Sequence, residues 1–383
     1  MTFAGNDRMY SQIVSDLEKA SVPVKELHGP GVVAVTLAAG RIVALAFSKD
    51  GPNLLWTHPD LGDTGLVKAN PARLMGGIGG DRLWFSPELR YHWVGKPDWH
   101  GLGNYKVPAD TEPGHYRFVD SEPGVVALEA KGRLPVQGSD HWSRGTGAAV
   151  AVTSPAGSGD VPSGEYLAFC VERKIRMAQP PLSLDDPLMR SVRYVGIEAV
   201  HELTIQEETR TGEIDLWHLL QTPVGSILIV SLRPGHRTQP LSYGLPGAWR
   251  TTPNSVIWRI EGNTNAKIGI AAEALTGRSA ILRRLSSKQW CLMVRQFPVD
   301  VSARYGDYPE GVPRDDQVFQ AWDGLGFGEM EFHSPVLDAE RGPRNLREKD
   351  QIWAFGGSAQ TISALADILL HVDIRALLSQ ERP

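Results

Sequence analysis

The chain has 383 residues, 42% of them hydrophobic and 22% charged, with a net charge of -5 and a pI near 6.1. This is an ordinary globular composition, and mild acidity without a basic run argues against nucleic acid or a polybasic membrane contact as the main partner. The length allows two or three medium domains or one large all-β domain.

The first periodic segment is MYSQIVSDLEKA (9–20), where Met9, Ile13 and Leu17 recur every four residues and predict a short amphipathic helix. From VVAVTL (32–37) and RIVALAF (41–47) onward the pattern becomes that of strands: short Val, Ile, Leu, Phe and Thr runs bounded by Gly, Pro, Asn or Asp. Further such runs are RLWFSP, GVVALEAKG, GAAVAVTSP, GEYLAFCVERKIRM, SVRYVGIEAVHELTIQEETR, SILIVSLRP, SVIWRIEG, AKIGIAAEAL, SAILRRL, QWCLMVRQFPV, QVFQAWDG and GEMEFHSPV. Glycines and prolines, 40 and 27 of them, are scattered as turns between strands require. No helical pattern alternates with the strands, which argues against parallel βαβ units. The last element is a helix over about 360–378, with Ile362, Leu365, Ile368, Leu369 and Val372 at helical spacing.

No repeat of 20 to 50 residues and no long linker divides the chain; a single domain over 1–383 is expected, with PAGSGDVPSGE (155–165) read as a boundary or, equally, a hairpin loop. Cys170 and Cys291 lie in apolar runs and are expected as buried free thiols, with one disulfide the alternative. The N-terminus lacks a basic flank followed by an apolar stretch, and no segment reaches the ~18 apolar residues of a membrane span, so a cytoplasmic location is expected.

Four stretches carry candidate chemistry. In RLMGGIGGDRLWFSPE (73–88) the glycines suggest a nucleotide loop, but Arg82 stands where the pattern needs glycine and no helix follows. What remains is a tight loop that delivers Arg82, Trp84 and Ser86 to one strand face, with Glu88 just beyond. A guanidinium offers paired donors to hydroxyls and an indole packs on C–H-rich ring faces, which suits a sugar; a plain surface ion pair with Asp81 or Glu88 competes equally. RYHWVGKPDWHGLGNY (90–105) sets His92 and His100 among four large aromatic rings, a loop that is folded onto the domain or lines a pocket, and whose histidine spacing fits zinc poorly. In EETRTGEIDLWHLLQTPVGSILIVSL (207–232), Trp217, His218 and Gln221 sit where a polar segment meets the core. In GEMEFHSP (328–335), strand alternation points Glu329, Glu331 and His333 to one face. That face is a solvated surface or a site wall; the absence of Lys or Arg between Trp322 and Arg341 favours the wall, with Glu331 as its reactive group.

Taken in this order, with AGRIVALAFSKDGPNLLW (39–56), GGDRLWFSPE, LWHLLQTP and GEMEFHSP, these stretches resemble the galactose-mutarotase-like (aldose 1-epimerase) superfamily, and most closely an uncharacterised branch of it. The resemblance spans about 30–340. It implies an all-β fold, a large antiparallel β-supersandwich with short peripheral helices. It also implies acid–base chemistry at a sugar's anomeric centre, with Glu331 as base, one of His218, His92, His100 or His333 as acid, and Arg82 and Trp84 fixing hydroxyls. Where LWHLLQTP departs from the family's histidine motif, Trp217 or His218 occupies that place. Glycoside hydrolysis or elimination, with Glu88 or Glu329 partnering Glu331, is the competing reaction; a non-catalytic sugar-binding module on Trp84, Trp93 and Trp99 is the non-enzymatic alternative. Glu331 and His333 are metal-ligand types without a third ligand, so no metal or other cofactor is expected. The expected partner is a small sugar or glycoside, and the oligomeric state is not legible.

Overall fold

The computed structural model describes residues 8–63, 65, 67, 77–136, 166–236, 240–243, 245, 247–307 and 316–380. The expected strand GAAVAVTSP and the 155–165 segment lie outside the described residues.

In chain order the strands are β1 (Val24–His28), β2 (Val32–Thr36), β3 (Ile42–Ala46), β4 (Asp81–Ser86), β5 (Arg117–Val119), β6 (Val125–Pro135), β7 (Tyr166–Met177), β8 (Arg193–Ile205), β9 (Glu213–Pro223), β10 (Ile227–Leu232), β11 (Leu241–Ser242), β12 (Arg250–Thr251), β13 (Ser255–Arg259), β14 (Ala266–Ala271), β15 (Leu275–Arg284), β16 (Trp290–Gln296), β17 (Gln317–Gly324), β18 (Phe327–His333), β19 (Leu337–Asp338) and β20 (Asn345–Gly357). They form two ten-stranded sheets. The first runs β1-β2-β3-β4-β9-β18-β17-β14-β11, with β19 also on β9; the second runs β12-β13-β10-β15-β16-β20-β8-β7-β6-β5. Every ladder between these strands is antiparallel, so the fold is the all-β, large antiparallel sandwich expected from the dispersed turns.

The interior follows from alternation. Leu83, Phe85, Leu216, Leu220, Met330 and Phe332 of the first sheet meet Val171, Ile197, Leu203, Ile281, Met293 and Ile352 of the second in one apolar layer. Helix Tyr10–Lys19 buries Tyr10, Ile13, Val14 and Leu17 against the outer face of β2 and β3. Helix Ala359–Leu370 buries Ile362, Leu365 and Leu369 on the outer face of the second sheet. The Ser358 hydroxyl caps it by accepting the Thr361 N–H at 3.2 Å. His371 then turns left-handed, at φ 57°, so the stretch expected as one helix over 360–378 is two, the second being Arg375–Gln380. Among the described residues no helix is long and apolar enough to cross a membrane. Cys170 and Cys291 are both unbridged.

One polar cluster interrupts the apolar layer. Asp81 of the first sheet accepts from two arginines of the second: Arg173 Nη2 at 2.5 Å and Arg295 Nη1 at 2.7 Å. Arg295 also donates to Asp350 at 2.9 Å, and His201 meets the same carboxylate at 2.8 Å. All five side chains are buried. Removing one member of such a set leaves an uncompensated buried charge. Asp81→Asn is therefore expected to cost about 3–5 kcal/mol of unfolding free energy, measured by urea denaturation at pH 7; a loss under ~1 kcal/mol, the scale of an exposed pair, would contradict this account.

Candidate active site

The face of the first sheet turned away from the sandwich carries a cleft of about 490 Å³, within the usual range for small-molecule sites. Its floor is a grid set by strand register. Arg82 and Trp84 of β4 lie beside Leu219 and Trp217 of β9. Leu219 in turn lies beside Glu331 of β18, and Gln221 beside Glu329. The grid continues through Gln320 and Trp322 of β17 to Lys267 of β14. The segment from Glu88 to Glu112 folds over one side and adds Glu88, Trp93, Trp99, Leu102, Tyr105 and Glu112 to the lining.

The glycines of GGIGG explain how β4 enters this grid. Gly79 and Gly80 have φ of 100° and 93°, and a Cβ on them would lie 2.3 Å from Trp56 O and 2.2 Å from Ile42 O. The loop is a tight backbone crossing, and Arg82 follows it directly onto the cleft face.

The charged side chains of the floor form two linked groups. Arg82 Nη2 donates to Glu329 Oε1 at 2.6 Å, and its Nη1 lies 3.5 Å from Glu112 Oε2. Glu112 also accepts from Trp84 Nε1 at 2.8 Å and from the buried Arg41 at 2.6 Å, while the Arg82 guanidinium lies 3.7 Å from the Trp84 ring centroid. In the second group Lys267 Nζ contacts Glu88 at 2.6 Å, Glu331 Oε2 at 3.4 Å and Asp307 at 3.9 Å, above the Trp217 ring at 4.3 Å. Glu331 Oε2 further accepts from Trp217 Nε1 at 2.7 Å. Glu331 Oε1, by contrast, is buried and has no hydrogen-bond partner among the described residues.

Burial raises two of these carboxyls from an ordinary 4.5 to about 7. For Glu88 the Lys267 ammonium opposes burial without overcoming it. For Glu329 the Arg82 guanidinium does the same, while the Glu331 charge adds to the rise. Burial also pulls on Lys267, but the carboxylates of Glu331, Glu88 and Asp307 outweigh it and hold the amine above its ordinary value, fully charged. One cation thus serves three carboxylates, and two carboxyls titrate near neutrality.

Arg82, Trp84, Glu88, Trp217, Glu329 and Glu331 all line the cleft, and Gln221 stands just behind it, donating to Glu329 at 3.2 Å. The histidines do not line it. His218 is a correction: it is one residue out of phase with Trp217 and so points into the sandwich, where Nε2 meets Glu348 at 2.6 Å and the ring stacks on Phe332 at 4.0 Å. Burial drives His218 well below and Glu348 well above their ordinary values, so this pair is held uncharged. His333 shares the face of Glu331 but is fully buried, stacked on Trp217 at 5.7 Å with Nδ1 near Ser86 and Asp215. His92 is packed between the rings of Trp84 and Tyr105, bonded to Phe85 O at 2.9 Å, and lowered to about 4 by burial. His100 is exposed on the covering loop and contributes no side chain to the lining.

Lys267, Glu112, Tyr105, Trp322 and Phe327 were not singled out from the sequence. Lys267 had a usable signal: in AKIGIA a single charge sits within an otherwise apolar strand, and lysine is seldom buried unless paired. Glu112 lies in an irregular loop, where periodicity gives no direction.

No family model matches the chain, and no curated protein matches it. Among solved structures it is similar to a galactose mutarotase-like protein from Lactobacillus casei, with 8% identity and a TM-score of 0.42, covering 87% of this chain and 100% of that one. A putative aldose 1-epimerase from Klebsiella pneumoniae gives 10% identity and a TM-score of 0.39 over 96% and 91% of the two chains. A GalM/aldose epimerase homologue from C. elegans gives 9% and 0.38 over 88% and 99%. The likeness extends along most of the chain. The chemical reading rests on the cleft's own side chains.

A carboxyl whose folded-state value is raised stabilises the fold at low pH, and that contribution is lost as pH rises from about 4.5 through about 7. Glu329→Gln, uncharged throughout, is expected to gain stability relative to the parent between pH 5 and pH 8 by an amount on the order of 1–3 kcal/mol, read from paired denaturation curves. A difference that stays constant across this range would show that Glu329 is ionised throughout.

Proposed function

We propose that the cleft binds a sugar and performs acid–base chemistry at its anomeric centre, with Glu331 as the general base and Glu329 as the general acid. The observation that carries this is the environment of Glu331, a residue of the cleft lining: one carboxylate oxygen is anchored by Trp217 Nε1 and the Lys267 ammonium, and the other is buried without a hydrogen-bond partner among the described residues. Such an oxygen is an acceptor awaiting a donor, and a sugar hydroxyl supplies one. The tryptophan walls suit the C–H-rich faces of a sugar ring, and Arg82 offers donors to ring hydroxyls.

In mutarotation, Glu331 Oε1 takes the proton of the anomeric hydroxyl as the C1–O bond becomes a carbonyl and the C1–ring-oxygen bond breaks. The Glu329 carboxyl delivers its proton to the departing ring oxygen. Rotation about C1–C2 and the reverse proton transfers close the other anomer. With its pKa near 7, Glu329 carries that proton through much of the neutral range, which takes over the role expected of a histidine. Lys267, kept charged by its three carboxylates, lies 3.4 Å from Glu331 Oε2.

Hydrolysis of a glycoside is the second reading, and the same pair of carboxyls supports it. Glu329 and Glu331 stand on the same face of one strand with both side chains lining the cleft, as a glycosidase's acid and its nucleophile or base must. Proton NMR over a panel of free sugars and their glycosides separates the two: mutarotation appears as saturation transfer between anomeric resonances, hydrolysis as new reducing-end signals.

Glu331→Gln keeps the volume and removes the base; turnover is expected to fall by ~10²-fold or more with an unchanged melting temperature to within a few degrees. Full activity in this variant would overturn the assignment. In the parent, turnover is expected to decline as pH rises through about 7, where Glu329 gives up the acid proton. A rate that keeps rising to pH 9 would remove Glu329 from the acid's role.

A further inference from the structure

The groups assigned to acid–base chemistry occupy only part of the cleft. Along β18 the cleft face reads His333, Glu331, Glu329, Phe327, and the hairpin tip then follows at Leu325. Trp322 stands beside Glu329 on β17 and packs on Phe327 with ring centroids 5.1 Å apart. Across the cleft the covering loop contributes Trp99 and Leu102, and Leu102 packs against the Trp56, Trp322 and Phe327 cluster. The mouth is thus apolar on both sides, whereas the inner end carries the carboxylates, Arg82 and Lys267.

Two of these mouth residues sit in unfavourable backbone. Leu325 and Leu102 both have φ of 52°, the left-handed region where a leucine is strained. In the two-residue hairpin turn Leu325-Gly326 the first position favours Asn, Asp or Gly. Leu325 is also 39% exposed, one of the few large apolar side chains left so in the described residues. Neither strain nor exposure is repaid by core packing at Leu325. Apolar side chains held in strained backbone at the rim of a cleft are the pattern of a ligand contact.

We propose that the mouth is a second subsite, which takes the apolar face of a ring attached to the sugar held at Glu331 and Glu329, so that the ligand is a disaccharide or other glycoside rather than a free monosaccharide. This rests on the sugar-binding reading above and, where the second ring is joined at C1, on its hydrolytic form, because a sugar substituted at C1 has no anomeric hydroxyl to give to Glu331. The C–H-rich face of a second pyranose or the face of an aromatic aglycone packs between Trp322 and Phe327 on one side and Trp99 and Leu102 on the other, with Leu325 closing the end.

The experiment is isothermal calorimetry on the full chain with three sulfur-linked or free probes of the same sugar: the monosaccharide, its thio-linked disaccharide and its phenyl thioglycoside. The parent is expected to bind at least one two-ring probe tenfold or more tighter than the monosaccharide. The disaccharide and phenyl arms tell a second sugar from an aromatic aglycone. Leu325→Asn and Leu102→Asn relieve backbone strain while Leu102→Asn gives up an apolar contact, so the double variant is expected to fold with a melting temperature within a few degrees of the parent's. In it the two-ring advantage is expected to fall to about twofold, with monosaccharide affinity held within twofold. A parent that binds all three probes equally, or an advantage that survives the double substitution, overturns the second subsite while leaving the sugar-binding reading in place. Failure of every probe to bind overturns both.

Discussion

The bridge from Asp81 to Arg173 and Arg295 is the constraint on which the site depends. These two arginines project from the second sheet, and Asp81 satisfies one with each of its carboxylate oxygens. In a low-dielectric interior two guanidiniums are tolerated only with such paired, hydrogen-bonded counter-charges, so the rotation of β4 about its own axis is fixed. Strand alternation then leaves Arg82 no choice of face. It must emerge on the outer side of the sheet, with Trp84 two residues on, and β9 and β18 bring Trp217, Glu329 and Glu331 into register beside them. Strand β4 thus belongs to both charged groups, through Asp81 inside the sandwich and Arg82 in the cleft outside it.

That arrangement explains what the sequence revealed. Strand runs of four to eight β-branched and aromatic residues between scattered Gly and Pro are enough to specify an antiparallel sandwich, because no competing helical period runs through them. Glu329 and Glu331 were legible for a related reason: a period of two places them on one face without knowledge of any partner. The helical end of the chain was less legible at its boundary. Only the left-handed turn at His371 divides it, and histidine is not a residue whose presence announces such a turn.

The histidines stand outside the cleft lining for reasons of phase and packing. His218 is adjacent to Trp217, and adjacency in a strand means opposite faces; Trp217 on the cleft places His218 in the core. His92 and His333 are on or near the cleft face, yet each is covered by an aromatic ring, Trp84 and Tyr105 in one case and Trp217 in the other. Packing of this kind depends on the path of the covering loop and is not encoded in any local pattern. Lys267 was missed for the opposite reason, since β14 reads as a plain buried strand and its long side chain reaches the floor only because the carboxylates of three other segments converge there.

The outcome is a site in which two neighbouring glutamates are made unequal by their partners. Glu331 receives an indole N–H and the contact of a permanently charged amine on one oxygen. Glu329 has Arg82, but that guanidinium is shared with Glu112, and the negative charge of Glu331 two residues away adds to the penalty of burial. Burial is thus the main reason that Glu329 is raised to about 7, with the neighbouring Glu331 adding to it. A carboxyl raised to about 7 by its surroundings can hold a proton near neutrality, so the proposed chemistry needs no imidazole for its acid. Lys267 reaches both groups: it contacts Glu331 Oε2 at 3.4 Å, and its charge opposes the rise that burial imposes on Glu329.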